Sequence, residues 1–239
     1  MTEGKRILKG KPSHLFLFEL FFMKNLLFIA IAAISFVSCN NNSKTEKTFC
    51  DTTCSNDALQ FQGNDPKLKQ SLTISMRDCK PDSISWTYEG LQSKRHALFS
   101  DYASQDVRIN KSAVDVAFQD TASVWISFND CFTGRGYLVE LPYRSGKSTI
   151  KTSAALNSFD KKFSIDPDLR AYTDRGNIFV VNVVNGKTAQ MTFKENYADM
   201  DFNDIHKTID TINITKTRIY VKLLKEGKEV PIEKNVDLS

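Results

Sequence analysis

The chain has 239 residues, 41% of them hydrophobic and 25% charged, the proportions of a folded protein rather than a disordered one. Its formal charge of +4 gathers at the N-terminus, where Lys5, Arg6, Lys9, Lys11 and Lys24 face only Glu3 and Glu19. Residues 39–239 keep 27 basic and 26 acidic side chains, which excludes the cationic excess needed to hold nucleic acid or to dock on acidic lipid by charge alone.

Residues 23–39 read MKNLLFIAIAAISFVSC. Lys24 is a positive start, Leu26 to Val37 is a nearly unbroken apolar run, and small Ala and Ser residues gather toward its end. That is the pattern of a signal peptide, and the run is too short to span a bilayer comfortably. A single anchor from Leu15 to Val37 would place Glu19, Lys24 and Asn25 in hydrocarbon, each at a cost. Residues 1–22, with their own apolar patch from His14 to Phe22, precede a complete signal. They are expected to be an over-extended start, with translation beginning at Met23 and the signal running over 23–38.

Phe36-Val37-Ser38-Cys39 resembles the lipobox of bacterial lipoproteins. That family prefers Leu at the first position and Gly or Ala before the cysteine; Phe36 departs from the preference and Ser38 is an accepted variant. The resemblance is confined to positions 23–39. It implies cleavage before Cys39, lipid on Cys39 and attachment to a membrane. In enteric bacteria an Asp after the cysteine marks retention at the inner membrane. Asn40 stands there instead, which points to the outer membrane, facing the periplasm or the surface.

Asn40 to Thr48 is polar and lacks any apolar period, as expected of a flexible tether. Residues 39–60 therefore form a lipidated tether and a cysteine-bearing arm. Cys50, Cys54, Cys79 and Cys131 remain after Cys39, an even number in an exported chain. That implies two disulfides with three possible connectivities. A small Cys50–Cys54 loop is geometrically possible. Pairing of the arm to the body through Cys79 and Cys131 is preferred, because the arm has little apolar surface to hold it down. CxxxC is not the usual zinc spacing, and no histidine lies near it.

Residues 61–239 read as a β domain. Ser71 to Met76, Ser83 to Tyr88 and Val124 to Phe128 alternate polar and apolar. Gly136 to Leu141, Asn177 to Val184, Thr188 to Phe193 and Thr217 to Leu224 are short, rich in β-branched or aromatic residues and bounded by turn formers. The best helix candidate is short, around Asn203 to Thr208. The fold class is all-β, an antiparallel meander.

The body also holds an internal repeat. Thr133-Gly134-Arg135-Gly136-Tyr137 returns as Thr173-Asp174-Arg175-Gly176-Asn177. Gly146-Lys147, Gly186-Lys187 and Gly227-Lys228 are spaced almost identically. One period upstream, Ser83 to Phe99 aligns more weakly with Ser123 to Val139, bringing Arg95 over Arg135. A period of about 40 residues with strands in each unit resembles propeller repeats. Shared turn chemistry accounts for the same pattern in a β-sandwich, the alternative architecture.

Four motifs bear on chemistry. Arg144 to Thr149 ends like a phosphate loop, but Leu141, followed by Pro142, stands where a glycine is needed, so it reads as a hairpin turn. Asp199, Asp201, Asn203 and Asp210 occupy positions 1, 3, 5 and 12 of a calcium loop, with Asp204 where glycine belongs. Arg95, Arg135 and Arg175, if they hold equivalent turns, form a row of guanidinium groups suited to anionic partners; solvated turns are the plainer reading. His96 and His206 are the histidines of the body, and no GxSxG nucleophile elbow accompanies them. The expectation is a lipid-anchored cell-envelope protein, a non-catalytic binding or structural module whose partner is an envelope protein or a glycan. An envelope hydrolase is the rival.

Overall fold

The computed structural model describes residues 48–51, 53–104, 106–144, 150–193, 201 and 204–239. Among them, sixteen strands follow in chain order. The first eight are β1 (Leu59–Gln62), β2 (Ser71–Arg77), β3 (Lys80–Thr87), β4 (Arg95–Leu98), β5 (Val114–Gln119), β6 (Ser123–Asn129), β7 (Gly136–Pro142) and β8 (Lys151–Thr152). Then come β9 (Ala155–Leu156), β10 (Phe163–Ile165), β11 (Leu169–Asp174), β12 (Asn177–Asn182), β13 (Thr188–Thr192), β14 (Ile209–Ile214), β15 (Arg218–Lys225) and β16 (Lys228–Asn235). They build four four-stranded sheets, ordered β1-β2-β3-β4, β5-β6-β7-β8, β13-β12-β11-β9 and β10-β14-β15-β16. The protein is all-β. Where the sequence pattern suggests a short helix, a single 3-10 turn spans Ile205–Lys207.

Alternation sets which face each strand buries. In β2, Leu72 and Ile74 are fully buried while Ser71, Thr73 and Ser75 stay half-buried. Antiparallel register puts Leu72 opposite Trp86 and Ile74 opposite Ile84, so the apolar side chains meet across the ladder. These four pack with Val124, Ile126 and Phe128 of β6 and Val139 and Leu141 of β7. The first and second sheets thus share one core.

A second core joins the third and fourth sheets. Ala171, Ile178, Val180 and Met191 meet Ile212, Ile214, Ile219, Val221 and Leu223. A smaller cluster of Trp125, Leu138, Ala155 and Val183 fills the space between the second and third sheets. The second sheet is therefore covered on both faces, and all seven residues of β6 are buried, its serines included. Gly136 lies at this contact. A Cβ there would come within 2.3 Å of the Ala155 carbonyl oxygen, so any larger residue pushes β7 and β9 apart.

β10 departs from the meander. It falls between β9 and β11 in sequence yet pairs with β14 of the fourth sheet, in the parallel sense. The third and fourth sheets are thereby interlocked by the chain path. β16 carries Lys228, Glu229, Pro231, Glu233 and Lys234 along an open edge, residues that discourage pairing with a foreign strand.

The third strands of the last three sheets begin at Gly136, Asn177 and Arg218, in step with the repeat period read from the sequence. Gly186 and Gly227 both serve connections between third and fourth strands. The third strand of the first sheet begins at Lys80, too early for that period, because the segment between β4 and β5 holds two 3-10 turns, Phe99–Asp101 and Lys111–Ala113. The alignment of Ser83–Phe99 with Ser123–Val139 thus pairs β3 and β4 with β6 and β7, one strand out of phase.

Candidate functional site

Both disulfides run from the arm to the body: Cys50 to Cys131 and Cys54 to Cys79. Cys131 lies in the β6–β7 turn and Cys79 in the two-residue β2–β3 turn. Asp78 and Cys79 have φ of 51° and 62°, the left-handed pair that a tight hairpin of this twist requires. The arm therefore straps equivalent turns of the first and second sheets. Beyond the covalent bonds it is held by Phe49 N–H donating to the Cys131 carbonyl at 2.8 Å, and by Cys79 N–H donating to Asn56 Oδ1 at 3.1 Å. Cys39 and the signal-like segment before it lie outside the described residues, as do Ser145 to Thr149 of the phosphate-loop-like turn.

The three arginines do different work. Arg95 opens β4 and its Nε donates to the Tyr143 carbonyl at 2.7 Å. Arg135 precedes β7 and its Nε donates to the Ser153 carbonyl at 2.8 Å. Arg175, with φ of 47°, sits in the β11–β12 hairpin 3.9 Å from Asp174. Only Arg135 and Arg175 hold equivalent turns, and their following glycines have separate causes: close sheet contact at Gly136, and a φ of 75° at Gly176. A groove of about 730 Å³ opens beside Arg175, Tyr172 and Lys151.

Asp199 and Asn203 of the calcium pattern lie outside the described residues. Asp201 is 3.4 Å from Lys207. Asp210 stands in β14, 2.9 Å from Lys162 Nζ and 4.0 Å from Lys222 Nζ. The Lys162 hydrogen bond, then that of Thr211, holds the Asp210 carboxyl below its ordinary value of 3.8. A carboxylate lowered on folding adds stability above its unfolded pKa and loses it as pH falls through the folded one. The urea midpoint is expected to fall once the pH drops below about 3.8, and Asp210→Asn to remove part of that fall.

His206 joins its 3-10 turn to the β9–β10 segment. Nε2 lies 2.7 Å from Asp160 Oδ2, and Nδ1 lies 3.0 Å from the Ile209 carbonyl. Both ring nitrogens thus face acceptors, an arrangement that orients an imidazole but leaves no lone pair aimed at a hydroxyl nucleophile. His96 lies on the first sheet's edge strand, β4.

Two charged residues are buried among the described residues, Asp130 in the β6–β7 turn and Arg170 on β11, at 6% and 7% exposure. Asp130 is saturated. It accepts from the backbone N–H groups of Arg108, Phe132 and Thr133 and from the Thr133 hydroxyl, and so organises the β6–β7 turn. Arg170 is not. Nη1 donates to the Pro167 and Leu169 carbonyls at 2.7 and 2.9 Å, and Nη2 donates to Asp115. Nε is buried without a partner. Burial pulls the guanidinium below its ordinary pKa, and Asp115 opposes that shift.

Arg170 reaches from β11 of the third sheet to Asp115 on β5 of the second. The ion pair lines two cavities, of about 280 Å³ and about 480 Å³. Asn157 lines the smaller one. Its Nδ2 donates to Asn129 Oδ1 at 2.6 Å, and Asn129 Nδ2 donates in turn to the Gly134 carbonyl at 2.9 Å. That relay fixes the amide's orientation and leaves Asn157 Oδ1 buried without a partner. The smaller cavity, lined by this ion pair and by Asn157, is the candidate ligand site. The sequence pattern passes over both residues, Arg170 and Asn157. No protein-family model, curated protein or solved structure matches the chain.

Proposed function

We propose that the chain is an exported lipoprotein, held in the cell envelope by lipid on Cys39, whose four-sheet body works as a binding module. The observation that carries this reading is the double strap. The segment directly after the tether is bonded covalently to two sheets, through Cys131 and Cys79. Disulfides persist in oxidising compartments outside the cytosol. Their placement also suits an anchor, since a pull on the tether passes into the body through covalent bonds. The cell envelope, reached through an N-terminal signal, brings these features together.

Within that reading, the four sheets are successive blades of a small open propeller-like stack. The spacing of the third strands of the last three sheets supports it. A pair of sandwiches is the second arrangement, favoured by the two large cores, each shared between neighbouring sheets. The binding role rests on the cavity between the second and third sheets, whose largely apolar wall carries the Asp115–Arg170 pair. Against the hydrolase reading stands His206, whose ring nitrogens are committed to Asp160 and a backbone carbonyl.

The test is metabolic labelling of the expressed chain with an alkyne fatty acid, followed by membrane fractionation. Wild type is expected to take the label and stay with the membrane pellet. Cys39→Ala is expected to lose the label and leave the pellet. An unlabelled wild-type chain with residues 1–38 intact by mass spectrometry would overturn the proposal.

A further inference from the structure

We infer that the two disulfides do different jobs: Cys50–Cys131 is a permanent strap, and Cys54–Cys79 is a reversible latch, opened at Cys54 by a protein dithiol. This goes beyond the binding role and is independent of how the chain is anchored.

Access is the first argument. Thiol–disulfide exchange needs a thiolate to reach one sulfur of the bond, so exposed disulfides are the labile ones. Cys131 is 0% exposed. Its backbone is engaged on both sides, its N–H donating to the Arg108 carbonyl at 2.8 Å and its carbonyl accepting from Phe49. Cys54 is the opposite case. It lies in a run, Thr53 to Ala58, in which every residue is exposed.

Attachment is the second. The run from Thr53 to Ala58 contains no strand. Among the described residues, its hydrogen bond to the body is the one that Asn56 Oδ1 accepts from the Cys79 N–H at 3.1 Å. Those of Thr53 and Asp57 stay within the arm, on Asp51 and Ser55. With so few contacts the segment opens locally once its covalent bond is broken. Cys79 does not follow it, because the β2–β3 ladder holds the hairpin on either side.

Reclosure is the third. Cys54 lies four residues beyond Cys50, which the buried strap keeps bonded to Cys131. An opened Cys54 therefore stays within about 14 Å of Cys50. So short a link returns it to Cys79 at an effective concentration of about millimolar order.

The chemistry balances without any group from the protein beyond its two cysteines. One thiolate of the dithiol attacks Cys54 Sγ, a mixed disulfide forms, and Cys79 leaves as a thiolate that takes a proton from water. The second thiol of the dithiol then attacks the mixed bond and frees Cys54. The dithiol is oxidised to its disulfide and the latch is reduced to two thiols, a two-electron exchange.

The experiment uses the full chain in detergent, with Cys39→Ala so that only the four body cysteines report. Dithiothreitol is added without denaturant, samples are alkylated at intervals, and each cysteine is followed by peptide mass spectrometry. Cys54 and Cys79 are expected to become alkylated at least about tenfold faster than Cys50 and Cys131. In urea the two bonds are expected to open at similar rates, since unfolding removes the burial of Cys131. A thioredoxin lacking its resolving cysteine is the trapping probe, and it is expected to be captured on Cys54. Removal of the reductant should restore Cys54–Cys79 with no other pairing, and with it the slow exchange of the Cys79 amide. Any of four results would overturn the inference: Cys50–Cys131 opens first or together with its neighbour, the difference in rate persists in urea, the trap is found on Cys79 or on neither residue, or reoxidation yields scrambled pairs.

Discussion

Removing the Cys50–Cys131 disulfide with Cys50→Ala and Cys131→Ala is expected to lower the unfolding free energy by about 4.5 kcal/mol. The bond closes a loop with a sequence separation of 81 residues, and opening it returns that freedom to the unfolded chain. The Cys54–Cys79 bond closes only 25, so its removal should cost about 3.5 kcal/mol, since loop entropy grows with the logarithm of length. Typical domains are stable by about 5–15 kcal/mol. Losing both bonds therefore brings the protein close to unfolding, and thiol reductant should shift the urea transition strongly. The order of the two effects is the sharper test. If the variant lacking Cys54–Cys79 proves the less stable, local packing of the arm outweighs loop entropy.

The second large effect is expected at the ion pair between the sheets. Asp115→Ala leaves the Arg170 guanidinium buried with Nη2 and Nε both unmet. Breaking a buried pair from one side costs about 3–5 kcal/mol. The lower end, about 3 kcal/mol, applies here because the Asp115 side chain is 53% exposed and water reaches the gap. Arg170→Met should cost less, about 2 kcal/mol. It leaves a carboxylate that water can solvate, at the loss of the donors to the Pro167 and Leu169 carbonyls. The double variant should cost clearly less than the sum of the two, as measured by a urea double-mutant cycle. Simple additivity would mean that the pair contributes nothing across the sheets.

Seven strands are legible from residue pattern: β2, β3, β6, β7, β12, β13 and β15. Each runs five to eight residues with alternating or β-branched residues, long enough for a period of two to show. β8, β9 and β10 have two or three residues, too few for any period. β16 carries Pro231 among lysines and glutamates and shows no strand pattern, because an edge strand needs no second buried face. The repeat period is also legible, for the last three sheets. The first sheet escapes it, since nothing local to Arg95 shows that the segment between β4 and β5 is longer than its counterparts.

The sequence alone determined the all-β class, the even set of body cysteines and the signal-like segment ending at Cys39, all of which depend on local pattern or composition. Tertiary structure decided which cysteines pair, because that depends on where the β2–β3 and β6–β7 turns lie beneath the arm. It also decided the cavity. Arg170 and Asn157 are ordinary residues in their own segments. They come to line one cavity only when the second sheet packs against the third.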